Sequence, residues 1–455
     1  SRRAVGCGGS GVCEQHRQKE RGRLEAMSRR GQISIDRIVA LRSSVLPLYI
    51  VISPDGSPVT SDEVSEDGND FLTTRMQGDS ISFQSIRGYY LSAEGDQVCT
   101  RRYCSANERF TVERLDTQYA FRARSGKYLS VLDQAPFLDL VEAPGETEMF
   151  QLFSLMMYGV NVGKQLDTLE KTGAVQIDGL IDNDQLAGLR DAVTGCGGTE
   201  ASGVHEVRCD GLSARSKCFA ELAAHPLVVQ LSLRTLSPSL RLSEMESCCT
   251  NADHVRKELE ETTWHVNHPY SSVEFPGAVD ARISITATWF LDTLDEENST
   301  WAFTKAPLSD GAHMPMLPHL SSPEDVQAVV KNAQPLRAPA GSVWLYIGPV
   351  WMTNNVGAAS FWRDYDAQAR YKHLSGQKET TSFRTLTDST RSQAPNRDLC
   401  PTLLQATYVR EYVIPRNPAA LQVPPDILHT LPEPQRSELA RLVQGDLPAA
   451  ATSTA

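Results

Sequence analysis

Arg282-Ile283-Ser284-Ile285-Thr286-Ala287-Thr288-Trp289-Phe290-Leu291-Asp292 puts Ile283, Ile285, Ala287, Trp289 and Leu291 on one parity and Ser284, Thr286 and Thr288 on the other. Successive side chains of a strand point to opposite faces, so this period of two predicts a half-buried β-strand. Two further stretches flank it at a distance. Upstream stands Thr263-Trp264-His265-Val266-Asn267-His268-Pro269-Tyr270. Downstream, Gly341-Ser342 opens the alternating run Val343-Trp344-Leu345-Tyr346-Ile347-Gly348-Pro349-Val350-Trp351-Met352.

Working outward, Leu166 to Val193 reads helix, strand, helix. Leu166 and Leu169 precede the strand Ala174-Val175-Gln176-Ile177. Asp182-Asn183-Asp184-Gln185 then forms a capping box for a helix with Leu186, Leu189 and Val193 on one face. Leu155 to Lys164 reads as a short linker. Residues 358–399 are polar and charged, an insertion ahead of a closing strand, Leu403 to Tyr412. Prolines after Asn417 lead to a last helix, Pro434 to Gln444, ended by Gly445, with disorder expected after Asp446.

The His-x-polar pair, the strand ending Leu291-Asp292, the acidic turn Glu296-Glu297-Asn298 and the Gly-Ser run that ends in Trp351-Met352 together resemble the phytanoyl-CoA dioxygenase family. The opening Thr172-Gly173-Ala174-Val175-Gln176-Ile177-Asp178-Gly179-Leu180-Ile181-Asp182 carries the same likeness, which runs with gaps to about Pro415. The resemblance implies a double-stranded β-helix, or jelly roll, with flanking helices over residues 164–416, and Fe(II) and 2-oxoglutarate as cofactors.

Non-haem iron of this kind is held by two imidazoles and one carboxylate. The family supplies them as His-x-Asp and a later His after Trp, and the matching positions here are His265, Asn267 and Met352. Asn267 offers a neutral amide oxygen, and Met352 a thioether, a soft donor suited to copper(I). His268 lies on the opposite parity from His265 and Asn267. His313 matches a family histidine that is not a ligand. The arginine that meets the distal carboxylate of 2-oxoglutarate falls at Arg363 counting from Met352; counting back from the closing strand lands near Pro401, which makes Arg397, just before that strand, the second candidate. Residues 307–340, with prolines at 307, 315, 318, 323 and 335, form a lid or a surface connection. Two functions follow from the resemblance. One is a degraded, non-catalytic binding or scaffold protein with no cofactor bound. The other is an active Fe(II)/2-oxoglutarate-dependent dioxygenase acting on a small or acyl-type substrate. The altered ligands favour the first.

Ahead of this region the chain repeats itself. Phe71, Phe110 and Phe150 stand at intervals of about forty residues, behind Asp70, Glu108-Arg109 and Glu148. Upstream of the last two lie near-copies, Arg87-Gly88-Tyr89-Tyr90-Leu91-Ser92 and Ser125-Gly126-Lys127-Tyr128-Leu129-Ser130, with Leu48-Tyr49-Ile50-Val51 as a fainter first copy. Three such units predict a threefold closed array of strands, a β-trefoil, over residues 32–155. Tyr90, Leu91, Tyr128, Leu129 and the three phenylalanines are its expected core, and Gly88 and Gly126 are expected at positive φ. The Gly-x-Tyr-Leu-Ser and Glu-x-Phe pattern resembles the repeat of fascin-like trefoils. That resemblance implies a protein partner, actin among the relatives, bound by loops such as Gln97 to Ser105 with Arg101, Arg102 and Tyr103.

The net charge of −12 argues against nucleic acid or an anionic membrane as partner. No apolar run approaches the ~18 residues of a membrane span. Residues 1–31 are Arg-rich without an apolar core and read as a disordered leader, with Met27 as a natural start. The ten cysteines lack the C-x₂-C spacing of a zinc site and read as reduced thiols of a cytoplasmic protein, the vicinal Cys248-Cys249 included. Residues 417–455 form a tail with a short helix.

Overall fold

The computed structural model describes residues 35–134, 138–196, 199–200, 206–236, 238–250, 265–266, 283–295, 301–304, 333–348, 350–353, 402–410 and 421–444. The expected leader, the insertion 358–399, most of the proline-rich stretch 307–340 and the end of the tail lie outside these residues. The chain divides into two compact units, Ser1–Leu155 and Met156–Ala455.

Among the described residues, twelve strands build the first unit. They are β1 (Ile38–Ser43), β2 (Tyr49–Ile52), β3 (Pro58–Ser61), β4 (Leu72–Gln77), β5 (Ser80–Gln84), β6 (Tyr90–Glu94), β7 (Gln97–Arg101), β8 (Phe110–Leu115), β9 (Gln118–Arg122), β10 (Tyr128–Val131), β11 (Leu138–Val141) and β12 (Phe150–Ser154). Six of them close an antiparallel barrel: β1 pairs β4, β4 pairs β5, β5 pairs β8, β8 pairs β9, β9 pairs β12, and β12 returns to β1. The remaining strands form three hairpins, β2–β3, β6–β7 and β10–β11, attached to β1, β5 and β9.

The barrel interior is apolar and aromatic. Phe83 lies 4.9 Å from Phe121 and 6.1 Å from Phe110 between ring centroids, and Phe121 lies 5.5 Å from Phe150. Leu41, Ile50, Leu91 and Leu129 complete this packing. The repeat spacing is visible in the turns that enter each hairpin: Ser43 N–H donates to Leu48 O, Ser85 N–H to Tyr89 O, and Ala123 N–H to Lys127 O. Gly88 and Gly126 take φ of 83° and 91°, as expected. The first turn is one residue longer and uses the Ser43 hydroxyl, which accepts from the Val45 and Leu46 amides, in place of a glycine.

The acids ahead of each phenylalanine are turn fasteners. Asp70, Glu108 and Glu148 accept from the amides of Ser65, Ser105 and Gly145. Burial opposes the ionisation of Glu108, but hydrogen bonds from Ser105 and Ser92 outweigh it and hold the carboxyl below its usual range. Three expectations are corrected. Tyr90 and Tyr128 are half-buried, not core. Phe71 is buried but sits outside the interior cluster. Half of the anticipated binding loop, Gln97–Arg101, is a strand.

In the second unit the anticipated linker is structured. A hairpin of β13 (Met156–Met157) and β14 (Val160–Asn161) turns through Tyr158 and Gly159, both at positive φ. Asn161 Oδ1 then accepts from Lys164 N–H and caps helix α1 (Val162–Thr172). After β15 (Ala174–Ile177), the reciprocal bonds between Asp182 and Gln185 cap α2 (Asn183–Cys196) as the sequence indicates. β16 (Thr199–Glu200) and β17 (Glu206–Asp210) follow. Two helices unanticipated from sequence come next, α3 (Lys217–Ala223) and α4 (Pro226–Thr235). The remaining strands are β18 (Leu240–Thr250), β19 (His265–Val266), β20 (Ser284–Phe290), β21 (Ala302–Thr304), β22 (Ala333–Pro335), β23 (Val343–Ile347), β24 (Trp351–Thr353) and β25 (Thr402–Arg410). Helices α5 (Pro425–Thr430) and α6 (Glu433–Gln444) end the described chain.

These strands make a seven-stranded antiparallel sheet, β15-β23-β20-β25-β18-β17-β16, and a four-stranded one, β19-β24-β21-β22. Strand β20 is an interior strand of the larger sheet, between β23 and β25, and is buried at every residue, which corrects the half-buried reading. Its apolar parity, Ile285, Ala287 and Trp289, continues through Leu404, Ala406 and Tyr408 of β25 and is covered by helices. Tyr408 Oη donates to Ala223 O at 2.9 Å, and Trp289 packs 5.1 Å from the ring of His225, the residue that precedes α4. Gly341 fixes the turn into β23. It takes φ 83°, its carbonyl accepts from Leu180 and Ile181, and a Cβ there would lie 2.5 Å from Ile181 O.

Candidate functional site

The second parity of the larger sheet gives the site its character. Trp344 pairs with Thr288 and Tyr346 with Thr286 across β23–β20, while Thr288 pairs with Gln405 and Thr286 with Thr407 across β20–β25. Phe303 of the smaller sheet lies 4.8 Å from Trp344, so this face looks toward the smaller sheet. Trp344 stacks on Tyr346 at 4.3 Å, forming an aromatic wall beside a polar floor. Gln405 Nε2 donates to Thr288 Oγ1 at 3.2 Å, and the hydroxyls of Thr286 and Thr407 lie 3.1 Å apart. Glu246, opposite Gln405 on β18, is also buried, and the Cys248 thiol lies 3.7 Å from its carboxylate. Buried polar groups are tolerated only where they are hydrogen-bonded, and these bonds meet that condition.

Of the residues singled out from sequence, the structure brings two together. His265 and Met352 are direct partners in the antiparallel ladder of β19 and β24, and Met352 is also the partner of Phe303 on β21. Met352 is 1% exposed. Asn267, Arg363 and Arg397 lie outside the described residues, as do His268, His313 and the turn Glu296-Glu297-Asn298. Thr286, Thr288, Trp344, Tyr346, Gln405 and Thr407 were not singled out. The signal for them was the shared parity of the threonines in β20 and of the two aromatics in β23.

Among the described residues no group of three or more His, Cys, Asp or Glu side chains could hold a metal ion. A buried thioether at the ladder position facing His265 is a soft donor, whereas Fe(II) of the facial-triad kind takes imidazole and carboxylate.

His225 lies on the helix-covered face of the sheet, between Trp289 and the ring of Tyr158 at 4.8 Å. Burial drives its pKa down to about 4, so the imidazole is neutral near pH 7. In the first unit the expected binding cations are engaged internally. Arg101 pairs with Glu94, and Arg102 lies 3.7 Å over the Tyr89 ring while donating to its hydroxyl. Tyr103 is 66% exposed.

No protein-family profile matches the chain, and no curated protein matches it in sequence. Among solved structures, HygX from Streptomyces hygroscopicus with nickel, 2-oxoglutarate and hygromycin B bound aligns with a TM-score of 0.37 at 13% identity, covering 55% of this chain and 88% of that one. The epimerase SnoN in complex with Fe3+, α-ketoglutarate and nogalamycin RO aligns with a TM-score of 0.35 at 15% identity, covering 55% of this chain and 83% of that one. Likenesses this loose place no chemistry on this chain. Among the described residues no helix is long and apolar enough to cross a membrane.

Proposed function

We propose that residues 164–416 form a double-stranded β-helix of the phytanoyl-CoA dioxygenase type whose metal position has lost its donors, and that this unit binds a small polar ligand without oxidising it. The observation that carries the reading is the ladder partnership of His265 with buried Met352. The two stand where the family pattern sets two metal ligands, and one of them is now a thioether. With Asn267 as the third member, the set supplies one imidazole and no negative charge, against two imidazoles and a carboxylate for Fe(II). The residues therefore do not fit Fe(II), and no step of oxygen chemistry is assigned to them. Arg363 and Arg397 are the two candidates for the 2-oxoglutarate carboxylate. The polar floor of Thr286, Thr288, Gln405 and Thr407 beside Trp344 suits a small ligand with hydrogen-bonding groups.

We further propose that residues 32–155 are a fascin-like β-trefoil that binds a protein partner, actin by resemblance. The closed six-strand barrel with three hairpins supports this reading. The free thiols of Cys99, Cys104, Cys196, Cys209, Cys218 and Cys248 support a reducing compartment, the cytoplasm.

Metal analysis of the purified chain and a succinate assay with 2-oxoglutarate test the first proposal. The expected result is substoichiometric iron and no succinate. Asn267→Asp combined with Met352→His is expected to raise Fe(II) affinity by orders of magnitude. Stoichiometric iron with succinate formation in the unmodified protein overturns the non-catalytic reading in favour of an active dioxygenase. Co-sedimentation with filamentous actin tests the second proposal.

A further inference from the structure

The three repeats of the first unit carry a tyrosine at one equivalent position, and the ladders show what each one faces. Tyr49, Tyr90 and Tyr128 pair with Arg42, Gln84 and Arg122 on the preceding strand. Those three residues pair on their other side with Gln151, Thr73 and Thr111. Two residues further along that third strand, on the same face, stand Phe153, Arg75 and Glu113.

The first and third repeats are complete in themselves. Tyr49 packs against Phe153 with ring centroids 6.3 Å apart. Tyr128 Oη donates to Glu113 at 3.0 Å, and Arg122 Nε sits 2.9 Å from the same carboxylate. The second repeat has a cation where the third has its acid. Arg75, Tyr90 and Arg109, with Gln77, Ser80 and Ser82, line a cleft with about 90 Å³ of room for water-sized molecules. Among the described residues no carboxylate lines it. Among the described residues, no ion pair or side-chain hydrogen bond engages Arg75, Arg109 or Tyr90.

We propose that this cleft binds a tetrahedral oxyanion, the phosphate or sulfate group of a small ligand, in the place that the Glu113 carboxylate fills in the third repeat. Two guanidinium groups offer charge-assisted hydrogen bonds to such a group, and three hydroxyls and an amide add neutral donors. Burial raises the pKa of Tyr90, with Arg75 opposing, so its phenol stays a proton donor near pH 7. The net charge of −12 makes a cleft with two arginines and no acid stand apart from the rest of the surface. This site is separate from the interior of the second unit and does not depend on the function assigned there.

The experiment is a titration of the full chain with inorganic phosphate, sulfate and acetate in turn, followed by calorimetry and by the alkylation rate of Cys104, which also lines the cleft. Saturable binding of phosphate or sulfate that slows Cys104 alkylation is expected, and the stronger of the two names the ester the site prefers. Arg75→Glu installs the carboxylate that the third repeat carries at the same ladder position, so the barrel should keep its unfolding midpoint while anion affinity falls about tenfold or more. Arg75→Gln and Arg109→Gln should show the same direction of loss. Equal anion binding in the unmodified chain and in Arg75→Glu overturns the proposal. So does the absence of saturable phosphate or sulfate binding in the unmodified chain, or binding of acetate as strong as that of phosphate and sulfate.

Discussion

The interior of the barrel in the first unit and the space between the two sheets of the second are filled in opposite ways. Around Phe83, Phe110, Phe121 and Phe150 the packing is aromatic and aliphatic, and the polar side chains buried beside it, Ser43 and Thr74, are the ladder partners of Phe150 and Phe83. Along Thr286, Thr288, Gln405 and Thr407 the polar side chains themselves are turned inward and buried. An interior that is mostly hydrocarbon spends its chemistry on packing and leaves recognition to the outer face. A buried polar face costs desolvation that packing alone does not require, which is why the second interior is the better candidate for holding a ligand.

This contrast breaks most readily at the aromatic centre. Phe110→Ala should destabilise the first unit by about 3–5 kcal/mol, read from denaturant unfolding, because a large buried ring leaves a cavity behind. A loss well under that range would mean that the barrel interior is loosely filled and the contrast overstated.

The next effect is a pH dependence confined to the second unit. His225 has a pKa of about 4 in the fold against 6.5 when exposed. Between those values the unfolded chain takes up a proton that the folded chain refuses, so stability rises with pH across this window. It should be complete above about pH 6.5 and fall by up to about 3 kcal/mol as the pH approaches 4. His225→Phe, which keeps a ring between Tyr158 and Trp289, should flatten this part of the profile, measured as the difference from the unmodified chain. An unchanged slope would place the acid sensitivity elsewhere.

The smallest effect tests the polar interior directly. Thr288→Val keeps the shape but removes the oxygen that accepts from Gln405, and should cost about 1–3 kcal/mol by stranding a buried donor. If it costs nothing, a water or ligand satisfies Gln405 in solution, which would sharpen the case for a binding site there.

Much of this architecture was legible, and the failures have physical causes. The period of two in Arg282–Asp292 located β20, yet periodicity cannot distinguish water from a polar interior, so its threonine face was assigned to solvent. The forty-residue repeat located equivalent turns, because glycine at positive φ and an acid accepting from a turn amide leave fixed marks in sequence. Helix α4 went unread although Pro226 opens it, because Leu227-Val228-Val229 lacks the polar side that marks an amphipathic helix, and nearly every residue from Leu227 to Thr235 is buried. The short α3, of seven residues, carries too little pattern to announce itself. The ladder pairing of His265 with Met352 was expected through family resemblance alone. The polar floor was not found, since its members come from strands that are distant in sequence and join only in the sheet.

The closure of the barrel has a mechanical consequence. Its first and last strands are neighbours, with Val39 opposite Ser154 and the chain entering and leaving at the same end of that ladder. Tension applied through the two ends would therefore pull across the strands and not along them, loading the hydrogen bonds one after another from Ser154 toward Phe150. A shear geometry, with the ends at opposite tips of paired strands, shares the load over the whole ladder. In this arrangement the barrel yields like a zip, at low force, and a partner that holds the chain on either side of it could open the β1–β12 seam while the hairpins stay intact.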